Sequence, residues 1–387
     1  MLSILEVITK RLAETWKSEE PTARGHNFRC QCGRAIYFRN SICLGCKTPL
    51  GYVPELGKVT ALSEGAAFGT FKPFDQKEET PLWKRCGNFN SPAGCNWMAS
   101  AAEEEPLCIS CRLNNTIPNL DDDNNARWWC KIENAKRCLV AQLLLLGLPI
   151  KSKVSEDPER GVMFDFLRSP EKGPRVLTGH AEGLITLNVE EADDSIREKT
   201  RHVMNEPYRT LLGHFRHEVG HYYWDRLVRD TPWLEKFREL YGDEREDYAA
   251  ALKRNYEQGP PANWADQYIS SYASVHPWED WAETWAHYLH VVDSLDTALG
   301  FGLKGQEVEQ AVEPFKVEDL YDPNTPDAQR VILLINSWVQ LMTVLNEMAR
   351  SMGQHDFYPF VMSRPVLRKM HFIQMVVKDA RGGKELI

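Results

Sequence analysis

The chain has 387 residues, 43% of them hydrophobic and 26% charged, which supports two or three domains with ordinary globular cores. Its formal net charge of −9 excludes a protein built as a whole to coat nucleic acid. The longest apolar run, near Leu139–Ile150, is too short to span a bilayer, and no secretory signal is recognisable, so a cytoplasmic protein without a membrane segment is expected.

Residues 1–23 read as a short amphipathic helix, with Leu2, Ile4, Leu5, Val7, Ile8 and Leu12 set among charges. The 10 cysteines then dominate the pattern. Eight lie between Cys30 and Cys111, followed by Cys130 and Cys138 and none after. Such clustering in a reducing compartment points to zinc rather than to disulfides. Residues 24–60 carry Cys30-x-Cys32 and Cys43-x-x-Cys46, with Gly33 and Gly45 beside the thiols, and predict a zinc ribbon closed by four thiolates. Residues 61–117 repeat the idea with Cys86, Cys95 and Cys108-x-x-Cys111. The gap from Cys86 to Cys95 is long for a knuckle, and Gly87, Pro92 and Gly94 offer a loop that folds it back. The alternative is a metal-free segment packed on the first module. One or two structural Zn²⁺ are therefore expected here. The 24–60 stretch holds six Lys/Arg (Arg24, Arg29, Arg34, Arg39, Lys47, Lys58) and one acid, Glu55. That excess offsets thiolate charge, and leaves nucleic acid or an acidic protein surface as a secondary partner.

The remainder, 118–387, reads as one larger domain. A helix is expected over about 124–146, where Cys130 and Cys138 read as buried small hydrophobes. Residues 161–168 and 183–189 read as strands by alternation and β-branching. A helix starts at Asp193–Ser195 and breaks near Pro207. The next, from about Tyr208 to Arg229, contains His217-Glu218-Val219-Gly220-His221. Positions four apart share one helical face, so two imidazoles can hold one Zn²⁺ while the adjacent Glu218 takes a proton from an activated water. Leu211, Leu212, Phe215, Val219 and Tyr222 anchor the rest of this helix. Gly220 weakens it, a cost tolerable where another element packs closely. The bland alternative is a hydrogen-bonded core pair of histidines.

Residues 231–262 are charged and partly helical, stopping at Pro260-Pro261. His276-Pro277 opens a strong helix from about Trp278, with Glu279 and Glu283 on one face. Glu279 is the chosen third ligand. Glu283 is then a partner that fixes a ligand imidazole's tautomer, with the reverse assignment as its rival. Asp280 and His276 are weaker ligand candidates, and His214 is read as a supporting or structural histidine. Residues 327–350 and 362–378 close the chain as helices, the first an apolar core stripe.

HEVGH followed by Glu279-Asp-Trp-Ala-Glu283-Thr-Trp resembles the gluzincin peptidases, the catalytic domain of anthrax lethal factor among them, with tryptophan where that pattern has phenylalanine. The resemblance implies Glu279 as ligand and, seven residues earlier, Tyr272 as a phenol that donates to a developing oxyanion. Tyr268 and Tyr222 are the less favoured tyrosines. The arrangement as a whole, in particular RTLLGHFRHEVGHYYWDRLV and HPWEDWAETWAHYLH, is similar to a bacterial family of zinc-binding metallopeptidases with N-terminal zinc ribbons. That likeness spans roughly 26–115 and 120–350. It implies an α+β fold, in which a tandem zinc-ribbon-like region precedes a mainly helical zincin-like domain with a small sheet. It also implies one catalytic Zn²⁺ and a peptide or protein substrate. Oligomeric state has no signature in the sequence.

Overall fold

Short apolar and aromatic runs separated by glycine turns fill the first third of the chain, and they fold as strands. The computed structural model describes residues 27–382 apart from 75, 77–80, 205 and 302–312, so the helix expected over 1–23 lies outside the described residues. Phe28–Arg29 (β1) pairs antiparallel with Ala35–Ile36 (β2) around the first cysteine pair. Leu50–Val53 (β3), Lys58–Glu64 (β4), Thr70–Pro73 (β5), Trp83–Arg85 (β6) and Met98–Ser100 (β7) follow as a five-stranded antiparallel sheet in chain order. β4 runs across residues 60 and 61, where two ribbon modules were expected to meet. Tyr52 of β3 also bridges Trp97, just ahead of β7. The reason is burial. Val53, Leu62, Trp83 and Met98 come from both stretches and form one apolar cluster that neither could close alone.

Asn114–Thr116 (β8), Met163–Leu167 (β9), Gly179–Ala181 (β10) and Leu184–Asn188 (β11) form a second sheet in the order β10-β11-β9-β8. β8, β9 and β11 are parallel, and the β8–β9 crossover is the helix Asp123–Leu145 (α1), whose first amides are capped by the Asp122 carboxylate. Alternation in β9 and β11 sends Phe164, Phe166, Ile185 and Leu187 inward, all fully buried. The inward face of α1 holds Trp129, Ile132, Val140 and Leu143 but also Glu133, Lys136 and Arg137. Cys130 and Cys138 flank that face and are half-buried, not buried as expected. Asp194–Val203 (α2) follows, capped by Asp193.

The chain divides into two compact units, Arg24–Phe215 and Arg216–Ile387, and the division falls inside the helix Leu211–Leu227 (α3). The second unit is helical. Trp233–Tyr241 (α4), Tyr248–Gln258 (α5), Trp264–Gln267 (α6), Pro277–Gly300 (α7), Ala328–Ser351 (α8) and Arg364–Ala380 (α9) complete it. Its core gathers Val291 and Leu295 of α7 with Ile332, Ile335 and Trp338 of α8 and Leu367 of α9. By length and composition α8 could cross a membrane, yet Val331, Ile332, Ile335, Trp338 and Met342 are buried in that core. The fold is α+β: a stranded cysteine-rich region, a small parallel-containing sheet, then helices.

Candidate metal centres

α3 and α7 cross where the sequence is smallest. A Cβ on Gly220 would lie 3.1 Å from the Cα of Ala282, so any larger residue would push the helices apart by a few tenths of an ångström. Trp281 Nε1 donates to the Gly220 carbonyl at 2.9 Å, and Tyr223 stacks on Trp285 with ring centroids 5.0 Å apart. α7 is started by His276, whose Nδ1 accepts from the Trp278 amide, and by Pro277 at the first helical position. This fixes the register that sends Glu279 towards α3.

The result is a triangle of ligand atoms. His217 Nε2 lies 3.2 Å from His221 Nε2 and 3.1 Å from Glu279 Oε2, and His221 Nε2 lies 3.6 Å from the same oxygen. Ligands held at about 2.0–2.1 Å in a tetrahedron stand about 3.3 Å apart, so the three edges fit a zinc ion. Glu279 Oε2 is buried, and the polar groups it faces are the two imidazole nitrogens. The outer oxygen, Oε1, accepts from Tyr248 Oη at 2.7 Å. Glu283 does not join the triangle. Its Oε1 lies 2.7 Å from Nδ1 of His217, on the opposite ring edge, and its Oε2 accepts from Ser270 at 2.6 Å. Glu279 is thus grouped with the two imidazoles, and Glu283 lies outside that group. Asp280 is turned away into a 2.6 Å ion pair with Lys369. His214 stands 3.9 Å from Glu191 and is not grouped with the ligand atoms.

Charge in the centre is strongly negative. Burial opposes a proton on His217, yet Glu279 and Glu283 outweigh it and raise its pKa well above the ordinary range. Burial pushes Glu218 up against the pull of both imidazoles. The site therefore attracts positive charge, and beside it stands an acid whose proton affinity is increased. Tyr272 is half-buried with its ring 6.0 Å from that of His217, and it lies beside Tyr248; burial, followed by the charge of Glu279, raises its pKa. Tyr248 was not singled out in the sequence. It sits 31 residues before Glu279 in an unremarkable charged stretch, and no spacing rule marks it. Trp278 was read only as a helix start, but its ring packs 4.1 Å from that of His221.

The cysteines converge as well. Cys30, Cys32, Cys43 and Cys46 form one group and Cys86, Cys95, Cys108 and Cys111 another, with the sulfurs of each within 4.8 Å of one another. Tetrahedral thiolates at about 2.3 Å from zinc lie about 3.8 Å apart. The observed separations are 3.5 Å for Cys30–Cys46, 3.8 Å for Cys32–Cys43 and 3.7 Å for Cys95–Cys108. The long Cys86–Cys95 gap folds back through a short turn at Gly87–Phe89 and Gly94 at φ 53°, and the Cys95 amide donates to the Asn88 carbonyl at 3.1 Å. The two groups differ in exposure. Cys32 and Cys46 are exposed, whereas all four thiols of the second group are buried.

The model of the family described as "Putative zinc-binding metallo-peptidase" matches residues 125–376. The chain belongs to that family. A zinc-ribbon domain model matches residues 27–122. This metallo-peptidase family member is 41% identical over 357 residues to uncharacterized proteins of Mycobacterium tuberculosis and Mycobacterium bovis, covering 91% of this chain and 95% of theirs. No solved structure matches, so the likeness to anthrax lethal factor rests on the two helix motifs alone.

Proposed function

We propose that the protein is a zinc-dependent peptidase, and the observation that carries this reading is the buried His217–His221–Glu279 triangle with Glu218 beside it. Three protein ligands leave a fourth position for water or substrate, the mark of a catalytic rather than a structural site. When bound, zinc would supply Lewis acidity to that water and to the scissile carbonyl. Glu218 takes the proton of the attacking water and returns it to the leaving amine. Glu283, backed by Ser270, holds His217 in the tautomer that presents Nε2. Tyr248 restrains the outer oxygen of Glu279, and Tyr272 donates to the developing oxyanion. The substrate is a peptide or protein. The thiol-rich centres suit a reducing, cytoplasmic setting.

The test is a peptide-library screen of the zinc-loaded chain beside Glu218→Gln and the double variant His217→Ala/His221→Ala. Cleavage by wild type, loss in Glu218→Gln with zinc content unchanged, and loss of one zinc in the double variant are expected. Equal turnover by Glu218→Gln sinks the assignment. Full zinc with no cleavage, together with tight nucleic-acid binding, favours a ribbon-based binding protein with a silent hydrolase-like domain.

A further inference from the structure

Three charged side chains on the inward face of α1 have no place in the proposed chemistry. Glu133 and Lys136 are fully buried and Arg137 is 2% exposed. Charges are left in an interior only when something there needs them. Two of the three, Glu133 and Arg137, reach the second cysteine group or its loop. Cys111 Sγ lies 3.9 Å from Glu133 Oε2, and Arg137 Nη2 donates at 3.0 Å to the carbonyl of Ala93, inside the Cys86–Cys95 loop. Lys136 Nζ is 2.8 Å from Glu133 Oε1 and Arg137 Nη1 is 3.9 Å from Glu133 Oε2.

A tetrathiolate zinc centre carries a net double negative charge, costly in a dry interior unless cations stand close. Here Arg137 does. The same residues tie the centre to the second sheet. Asn114 of β8, three residues after Cys111, donates to Glu133 Oε1 at 2.9 Å and accepts from Lys136. Lys136 Nζ also lies 5.7 and 5.5 Å from the ring centroids of Phe164 and Phe166 on β9. Phe215 of α3, two residues before His217, packs edge-on against those rings at 5.6 and 6.2 Å.

We infer that the Cys86–Cys95–Cys108–Cys111 centre, although it lies in the zinc-ribbon stretch, is also the brace of the helix and sheet that follow it. Arg137 is its counter-cation, Lys136 holds Glu133 and Asn114 together beside it, and zinc there keeps α1, β8 and β9 in place. The first cysteine group, with two exposed thiols, has no such role. This inference does not depend on hydrolysis.

The test treats the full zinc-loaded chain with EDTA and an alkylating agent. Cysteine labelling is mapped by peptide mass spectrometry, and amide exchange is followed over 123–145 and 163–167. Cys30, Cys32, Cys43 and Cys46 should label first while α1 keeps its protection. Cys86, Cys95, Cys108 and Cys111 should label later, together with loss of protection in α1 and β9. Labelling of the second group while α1 stays protected overturns the inference, as does simultaneous labelling of both groups. Arg137→Gln should speed labelling of the second group about tenfold or more and leave the first unchanged, with Arg137→Lys closer to wild type. Unchanged labelling of the second group in Arg137→Gln also overturns it. If that variant fails to fold, the wild-type exchange order decides.

Discussion

The buried cysteine group at Cys86–Cys111 and the histidine–glutamate group on α3 and α7 differ in their ligand atoms and in the charges set beside them. Beside the four buried thiols stand Glu133, paired with Lys136, and Arg137. Beside the two imidazoles and the Glu279 carboxylate stand two further carboxylates, Glu218 and Glu283. On the function proposed above, four protein ligands close the first centre and three leave the second a place for water.

Four measurements would break or sharpen that contrast. The largest effect is expected at the open centre: Glu218→Gln should lower peptide cleavage by about 10²–10⁴-fold with zinc retained, since general-base assistance is worth roughly that much. Loss of zinc along with activity would make Glu218 a structural anion instead. Next, Cys108→Ser should cost several kcal/mol, roughly 10 °C in Tm, while Cys32→Ser at the exposed group should shift Tm by roughly 3 °C or less. Equal shifts in a calorimetric scan would erase the difference between the two cysteine centres. Third, Tyr248→Phe removes one hydrogen bond to Glu279, about 1 kcal/mol, and should weaken zinc binding at the open centre about tenfold without altering the cysteine centres. A chelator competition showing no change would remove Tyr248 from the site.

The smallest effect is a pH dependence. Burial raises Asp280 from 3.8 to about 6, partly opposed by Lys369. An acid with a raised folded-state pKa binds its proton more tightly when folded, so its contribution is present below about 4 and lost as pH rises through about 6. The Tm of wild type relative to Asp280→Asn should therefore fall across that window. Parallel curves would mean that the pair with Lys369 keeps Asp280 charged throughout.

Much of the fold was legible because it is local. The strand expected over 183–189 spans Leu184–Asn188, and the helix expected over 124–146 spans Asp123–Leu145. Both follow from side-chain periodicity and caps within a few residues. The course of the chain through 54–82 was less legible, because β4 and β5 are stabilised by a cluster that includes Trp83 and Met98, beyond that stretch. Cys130 and Cys138 were misjudged for a related reason: α1 turns inward a face that includes charges, and the thiols fall to its sides.

At the candidate site, one turn of helix was enough to put His217, Glu218 and His221 together, and four residues were enough to align Glu279 with Glu283. Their division of labour was not local. It depends on Gly220 meeting Ala282, on Ser270 reaching Glu283, and on Tyr248 reaching Glu279. Residue spacing along a helix follows from backbone geometry, which every sequence shares. Which oxygen of Glu279 faces the imidazoles, and which side chains face the cysteines, follows from how separate elements pack, and that is decided only when the chain has closed on itself.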